Sequence, residues 1–476
     1  MSKKSYFISN YKVSQTTYLF VQEKLQGFSP EERRFILHIL CSELLARSRA
    51  EDTENREDWG AFALKLPSKT IRAEIARDFS WKSFEPRAKG LLEASGFCDG
   101  SCRTFQVSPT FLAEVVAKID QATQSPDQSP AVNLFDGSAY KTACWVSAEG
   151  VPASSKLMRD ALKLLHVANC PINVDAVGEH LRRLERDGKP LALLNDKLCA
   201  QWIFAGMKVS DGFGFYTPSY SPQRSGRLGE LGGGTQSCSK AMKEAAFSGI
   251  ENLFNYDLRS SQGYVLLQDL RLAGIDDTWV AAHLGPGAFE QHAGALALSK
   301  GAYKKCFFAT IMGASHRWLE GEHIGALQEK MLEVCGTPEL ARVKFKQVVK
   351  QLEPLKKVVR LWTEWLLESP GCPHRKKTQR REYLENATGQ KLLLDGASDA
   401  KELTRKAAAH MLQGQEAAFI HHLTILSKDS TFTPISNQHD GLVTLGIVPP
   451  QAIAEAGKRS GFEYAFLDQK PFVSPE

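Results

Sequence analysis

The apolar and polar positions of this chain alternate between two periods, and the changeovers mark its elements. Apolar residues at helical spacing in GFSPEERRFILHILCSELLARS, with Ser29 and Pro30 at a plausible start, predict a helix near the N-terminus. TIRAEIARDF and SFEPRAKGLLEASGF predict two more, followed by the turn CDGSC and the strand-like RTFQVS. Helix, helix and hairpin is the order of a winged helix, in which Arg87 and Lys89 would face phosphates; a helical domain with a surface hairpin fits the same pattern. QATQSPDQSPAVNLFDGSA, at 121–139, is poor in apolar residues and reads as a linker. Beyond it, SSKLMRDALKLLHVANCPINVDAVGEHLRRLERDGK predicts two helices separated at Cys170 and Pro171, the second with a basic side at His180, Arg182, Arg183 and Arg186.

The second half changes character. NLFNYDLRSSQGYVLLQDLRLAG predicts a short strand through Leu253 to Tyr256, then Asp257, then an amphipathic helix. SKGAYKKCFFATIMGA, at 299–314, places Lys300, Lys304, Phe308 and Met312 at i, i+4, i+8 and i+12, so one helical stripe carries two ammonium groups, a ring and a thioether. An ordinary amphipathic helix segregates such residues to opposite faces. The ammonium groups suit a triphosphate and the ring suits its base. TPELARVKFKQVVKQLEPLKKVVRLWTEWLLES predicts a long helix interrupted near Pro354, and CPHRKKTQRREYLENATG a basic hairpin or loop. TRKAAAHMLQGQEAAFIHHLTIL predicts a further helix, STFTPISNQHDGLVTLG a strand, a turn at His439 and Asp440, and a strand, and the tail a helix and a final strand.

Composition narrows the classes. At 476 residues with 43% hydrophobic and 24% charged positions, the chain is long enough for two or three domains and is not globally disordered. No apolar run approaches the length of a membrane span and the start lacks a secretory pattern, so a cytoplasmic protein without membrane partners is expected. Ten cysteines without a framework pattern agree with a reducing compartment, and CDGSC lacks the second ligand pair that a zinc site needs. A net charge of +5 by itself predicts no nucleic-acid partner. GGG within RLGELGGGTQ is not a phosphate loop, because no Gly-Lys-Ser/Thr follows.

Together, Arg224-Ser-Gly226-Arg227-Leu228 with Gln236, then Asp257, then Lys300 to Gly313, then Arg405 with Gln413, then His439-Asp440 resemble the motifs of family A (DNA polymerase I-like) nucleic-acid polymerases, in the family's order. That superfamily also includes the single-subunit phage-type RNA polymerases, and FYTPSYSPQRSGR resembles their segment before the palm. The resemblance covers roughly Gln223 to the C-terminus. It implies a helix-rich α+β fold: a right-hand polymerase with an antiparallel palm sheet and helical fingers and thumb, beside an N-terminal helical, winged-helix-like domain. The expected division is 1–120 for that domain, 121–139 linker, 140–222 thumb-like, and 223–476 palm and fingers, with the fingers at about 275–395.

The resemblance implies that Asp257 and Asp440 hold two magnesium ions, or manganese. Lys304 would contact the incoming phosphates and protonate the leaving pyrophosphate, Lys300 would assist, and Phe308 would pack on the nascent base pair. Arg227, Gln236, Arg405, Gln413 and His439 would contact primer or template. Two departures bear on the sugar, Gln262 where the family has Glu and Met312 where it has Tyr; Gly441 stands where a Glu follows the last Asp, and Ala409 where the family has Asn. The expected activity is a DNA-directed DNA polymerase, a nucleotidyltransferase without proofreading exonuclease, acting on a DNA template and primer with nucleoside triphosphates. Replication or mobile-element proteins are candidate accessory partners. The alternatives are an RNA polymerase or primase of the single-subunit class, and a nucleic-acid-binding protein that keeps the fold without catalysis.

Overall fold

A computed structural model describes residues 11–48, 64–67, 81–98, 102–124, 130–139, 155–205, 207–230, 234–320, 324–378, 381–394 and 399–471. Within these the chain is helix-rich with small, wholly antiparallel sheets. The sheet that organises the C-terminal half has four strands: β1 (Leu253–Leu258), β2 (Thr433–Asn437), β3 (Gly441–Leu445) and β4 (Leu467–Pro471), in the order β2-β3-β1-β4. Side chains alternate across each strand, so the sheet has two committed faces. Tyr256, Leu258 and Leu442 join one large apolar cluster, whereas Leu253, Ile435 and Val443 join another built with Ile172, Ile203 and Phe247. Burial on both faces pins the register, in which Asp257 lies opposite Gly441 on one side and Asp468 on the other.

Gly441 is where this register is decided. A Cβ there would sit 2.2 Å from the Tyr256 carbonyl oxygen and 2.8 Å from Asp257 Oδ1. Only a residue without a side chain lets β3 approach β1 so closely.

On one face of the sheet lies a helical layer: α2 (Ser261–Ala273), short helices at 278–284 and 288–295, α3 (Lys300–Ile311), a helix at 326–335, and α4 (Pro338–Glu368). Helix α4 corrects the expected interruption, since it runs unbroken through Pro354. Its buried residues Phe345, Val348, Leu352, Leu355, Val359, Trp362 and Leu366 recur at three and four positions, while Pro354 is exposed. The carbonyl that Pro354 leaves unbonded therefore meets water, and packing on both sides holds the two halves in line. The basic stretch after α4 forms a three-stranded ribbon over 375–377, 382–385 and 391–393, where Glu382 takes up Arg375 (2.6 Å) and Lys377 (2.9 Å). Helix α5 (Ala400–Leu426) then crosses the layer. Its small buried residues Ala407, Ala408, Gly414, Ala417 and Ala418 let neighbouring elements approach closely.

Upstream, the expected helix over SFEPRAKGLLEASGF is shorter than its pattern suggested. It spans Trp81–Ala88 and gives way at Gly90 (φ 89°) to a strand, Leu92–Cys98, paired with Cys102–Val107. Glycine takes that left-handed backbone without strain and so ends the helix. The hairpin stands as expected, with Leu64–Pro67 as a third strand, and Phe35, Phe84 and Phe105 pack edge to face beneath it. The helix expected over TIRAEIARDF lies outside the described residues. Arg87 is ion-paired with Glu32 and lies over the Phe28 ring. The stretch read as a linker begins inside a helix, Pro109–Gln124, and its Ala131–Asn133 forms a strand with Lys12–Ser14.

Further on, the break at Cys170-Pro171 is a strand, Cys170–Asn173, paired with Phe213–Tyr216. His180 does not belong to the exposed basic side: it is buried against Asp196 at 2.6 Å, and Arg182 and Arg186 both pair with Glu179. Helix α1 (Pro190–Phe204) joins the two halves, giving Leu198 and Trp202 to the N-terminal core and Cys199, Ile203 and Phe204 to the core under the sheet.

Gly441→Ala is expected to destabilise the chain by about 2 kcal/mol or more, as overpacking of a tight contact does. Urea unfolding followed by circular dichroism measures this; a midpoint equal to that of the parent chain would overturn the close approach of β1 and β3.

Candidate active site

The geometry at the end of the sheet begins with two turns. After β1, Ser260 takes a left-handed conformation (φ 49°) and swings the chain directly into α2, leaving Asp257 at the strand end with its side chain one-third exposed. Between β2 and β3, His439 is also left-handed (φ 68°), with its N–H donating to Asn437 Oδ1 at 3.0 Å. The following backbone carbonyl, that of Asp440, accepts from Leu258 N–H at 2.9 Å. Asp257 and Asp440 are thus neighbours across an antiparallel pair, from segments far apart in the chain.

Their electrostatics are uneven. The Asp440 carboxyl is pushed up to about 6, first by burial and then by the neighbouring Glu416; Arg227 pulls it down and Asp257 adds to the rise. Glu416, on α5, is completely buried, with its carboxylate bonded to Arg227 and to Ser261 in the first turn of α2. Asp257 is met at 2.5 Å by Lys470 on β4.

Around this acidic centre stands a rim of cations. Burial, then Lys300, Lys470 and Arg259, lower the Lys304 ammonium's proton affinity, against the opposing pull of Asp440. The four basic groups therefore share one neighbourhood, in which Lys304 feels the pull of Asp440. Lys304 lies over the rings of Phe308 (5.7 Å) and Phe289 (6.0 Å), while Lys300 pairs with Glu290. Along α3 and its C-cap the stripe Lys300, Lys304, Phe308 and Met312 is the less buried face, with Phe308 and Met312 packed at the edge of the core, and Ala302, Tyr303, Cys306, Phe307, Thr310 and Ile311 form the buried one. The helix ends at Gly313 (φ 79°), where a Cβ would lie 2.8 Å from Arg405 Cγ, so the Arg405 chain from α5 passes directly over it. Arg405, Ala409 and Gln413 follow one another along α5 at four-residue spacing, none of them buried.

Gln262 sits half-buried in the first turn of α2, next to Ser261. Gln236 is spent on the scaffold: its Nε2 donates to the carbonyls of Leu228 (3.0 Å) and Asn437 (3.1 Å), and its Oε1 accepts from Glu230 N–H (2.7 Å). It stitches the segment carrying Arg227 to the edge of the sheet.

The resemblance did not mark Glu416, Arg259 or Lys470. The burial of Glu416 has no signature in GQEAAFI, and Lys470 reaches Asp257 only because β4 pairs with β1. Among the described residues no group of three or more His, Cys, Asp or Glu is placed to hold a metal ion. Asp257 and Asp440 offer hard oxygen donors whose mutual repulsion a divalent cation would relieve, which fits magnesium. Among the described residues no helix is long and apolar enough to cross a membrane.

No family model and no curated protein matches the chain. Among solved structures it is similar to the POL domain of Pol1 from M. smegmatis, in complex with DNA primer-template and dNTP, with 15% identity over 75% of this chain and a TM-score of 0.36. The chain spans 63% of that chain's length.

The raised affinity of Asp440 for its proton has a consequence for stability. The folded state holds this proton more tightly than the unfolded chain, so its stabilising contribution is present at low pH and is lost as pH rises through about 6. Above that, an ionised and poorly solvated carboxylate disfavours the fold. Asp440→Asn is expected to raise the melting temperature at pH 8 in EDTA, with the difference closing below pH 6; equal melting curves throughout would overturn the burial of this charge.

Proposed function

We propose that the chain is a template-directed nucleotidyltransferase, a DNA-directed DNA polymerase without proofreading that extends a primer with nucleoside triphosphates. The observation that carries this reading is the pairing of Asp257 and Asp440 at one end of the sheet, facing a rim of Lys300, Lys304, Arg259 and Lys470. Two carboxylates alone repel a polyphosphate, and four cations alone would bind one without transferring anything. Side by side they suit a phosphoryl group whose attacking and leaving oxygens both need stabilisation.

In this reading Asp257 and Asp440 would hold two magnesium ions, which when bound neutralise developing charge on the phosphoryl oxygens. Lys470 would then exchange its hold on Asp257 for a phosphate. Lys304 is fixed by two rings and has a lowered proton affinity, so it is suited to contact the phosphates and to give its proton to the departing pyrophosphate. Lys300 would assist after release from Glu290. Phe308 and Met312 continue the same face of α3, where a base would lie, and Arg405, Gln413 and His439 border the track for primer and template.

A second reading, an RNA polymerase or primase, is favoured by two departures from the residues of family A DNA polymerases. Gln262 is a neutral amide where the related enzymes carry a carboxylate. At Gly441 the backbone contact leaves no space for an acidic side chain.

Extension of a labelled primer on a DNA template with magnesium, with deoxynucleotides and ribonucleotides in separate reactions, separates the two readings. Deoxynucleotide extension alone is the expected result. Asp440→Asn is expected to reduce synthesis at least about 1,000-fold while leaving duplex binding nearly intact. No synthesis with either nucleotide set, or undiminished synthesis by the variant, would overturn the assignment.

A further inference from the structure

Three segments of chain meet beside Asp440 through one buried carboxylate. Glu416 on α5 is 0% exposed, and its two oxygens are engaged separately: one accepts from Arg227 Nη2 and the other from Ser261 Oγ. Arg227 belongs to the segment before the sheet and Ser261 to the first turn of α2, four residues after Asp257. Glu416 is fully buried and each of its oxygens already accepts from a fixed donor, so in this arrangement it braces Arg227 and Ser261 and is not open to an entering cation.

The Arg227 side chain is 15% exposed, and its Nε–H is buried without a hydrogen-bond partner. An unsatisfied N–H on a charged group is costly, so its survival here points to an acceptor that arrives from outside. The guanidinium is planar and rigid, so fixing Nη2 on Glu416 also fixes the direction of Nε–H. Arg227 is close enough to Asp440 to lower its proton affinity, so its guanidinium borders the acidic centre.

We propose that Glu416 is a positioning residue, and that the Ser261–Glu416–Arg227 brace aims the Nε–H of Arg227 at an acceptor on the primer strand whose end lies against Asp440. This rests on the polymerase reading above. The brace also ties α2 to α5, so the strand end, Asp257 and Asp440 are held in one frame.

The test uses the full chain, a fluorescein-labelled 3′-recessed DNA duplex for binding by anisotropy, and steady-state primer extension with magnesium. In Glu416→Ala a negative charge is lost near the duplex, so affinity for it is retained or increased, whereas kcat falls about 10–100-fold, as expected for a lost hydrogen bond to a charged group. Arg227→Ala lowers kcat similarly, and the double variant is no slower than Arg227→Ala alone, because the two residues act as one unit. Ser261→Ala, the milder change, lowers kcat several-fold with the melting temperature nearly unchanged, and it serves where Glu416→Ala does not fold.

Additive losses in the double variant would overturn the proposal, and so would loss of duplex binding in step with kcat. A rise in the magnesium concentration required for half-maximal rate in Glu416→Ala, with kcat restored at saturation, would make Glu416 a metal ligand instead. Parent-like kcat in both Glu416→Ala and Ser261→Ala, with synthesis still lost in Asp440→Asn, would sink the brace and keep the polymerase. Absence of synthesis by the parent chain would remove the polymerase reading and this inference with it.

Discussion

The candidate site depends on the close approach of β1 and β3 at Gly441. With the Tyr256 carbonyl only 2.2 Å from where a Cβ would stand, the two strands meet more tightly than any side chain at that position allows. This contact brings Asp257 and Asp440 side by side at the strand ends, although they come from opposite ends of the C-terminal half. A register slip of one residue would turn Asp257 to the other face of the sheet, into the cluster of Tyr256 and Leu258, where a carboxylate is expensive to bury.

Bringing carboxylates together costs electrostatic energy, and the surrounding structure distributes that cost unequally. Glu416 is matched inside the protein by Arg227 and Ser261, and Asp257 is matched at the surface by Lys470. Asp440 has the partial help of Arg227 and of its own backbone N–H, which burial and Glu416 outweigh, and its proton affinity rises accordingly. Opposite it, Lys304 is crowded by other cations and held by aromatic faces. An acidic centre and a basic rim therefore stand side by side, joined at Lys470 and Asp257, each under strain from its own kind. A ligand carrying both a divalent cation and a polyanion would relieve both strains at once.

The N-terminal half is fastened to this frame through α1. Lys12 is buried, its ammonium donating to the Trp202 carbonyl at 2.9 Å, while Gln201 Nε2 donates to the Lys12 carbonyl at 3.1 Å. Burial lowers the Lys12 ammonium to about 8 and raises the Glu230 carboxyl to about 8 in the same neighbourhood. Glu230 also accepts from the Gln236 N–H, so the strand at 12–14 is linked through polar contacts to the segment that carries Arg227.

Much of this architecture was legible in the residues because it rests on local rules. The strand before Asp257, the His439-Asp440 turn, and the helix with its Lys300 to Met312 stripe follow from period, turn chemistry and position, which act within a few residues. Where local rules met packing, packing prevailed. Pro354 does not break α4, because the apolar stripe continues on both sides of it and its own position faces water. Cys170-Pro171 makes a strand because Phe213–Tyr216 lies alongside to pair with it. The burial of Glu416, the placement of Lys470 on Asp257, and the engagement of Gln236 and His180 in the scaffold were not legible. Each depends on which distant segment comes to lie beside it. The sequence by itself determined the strand, turn and helices that surround Asp257, Asp440 and Lys300 to Met312, since those follow from period and residue type. Only the tertiary structure decided which charges face one another, because burial and Coulomb interaction depend on distance in space and not along the chain.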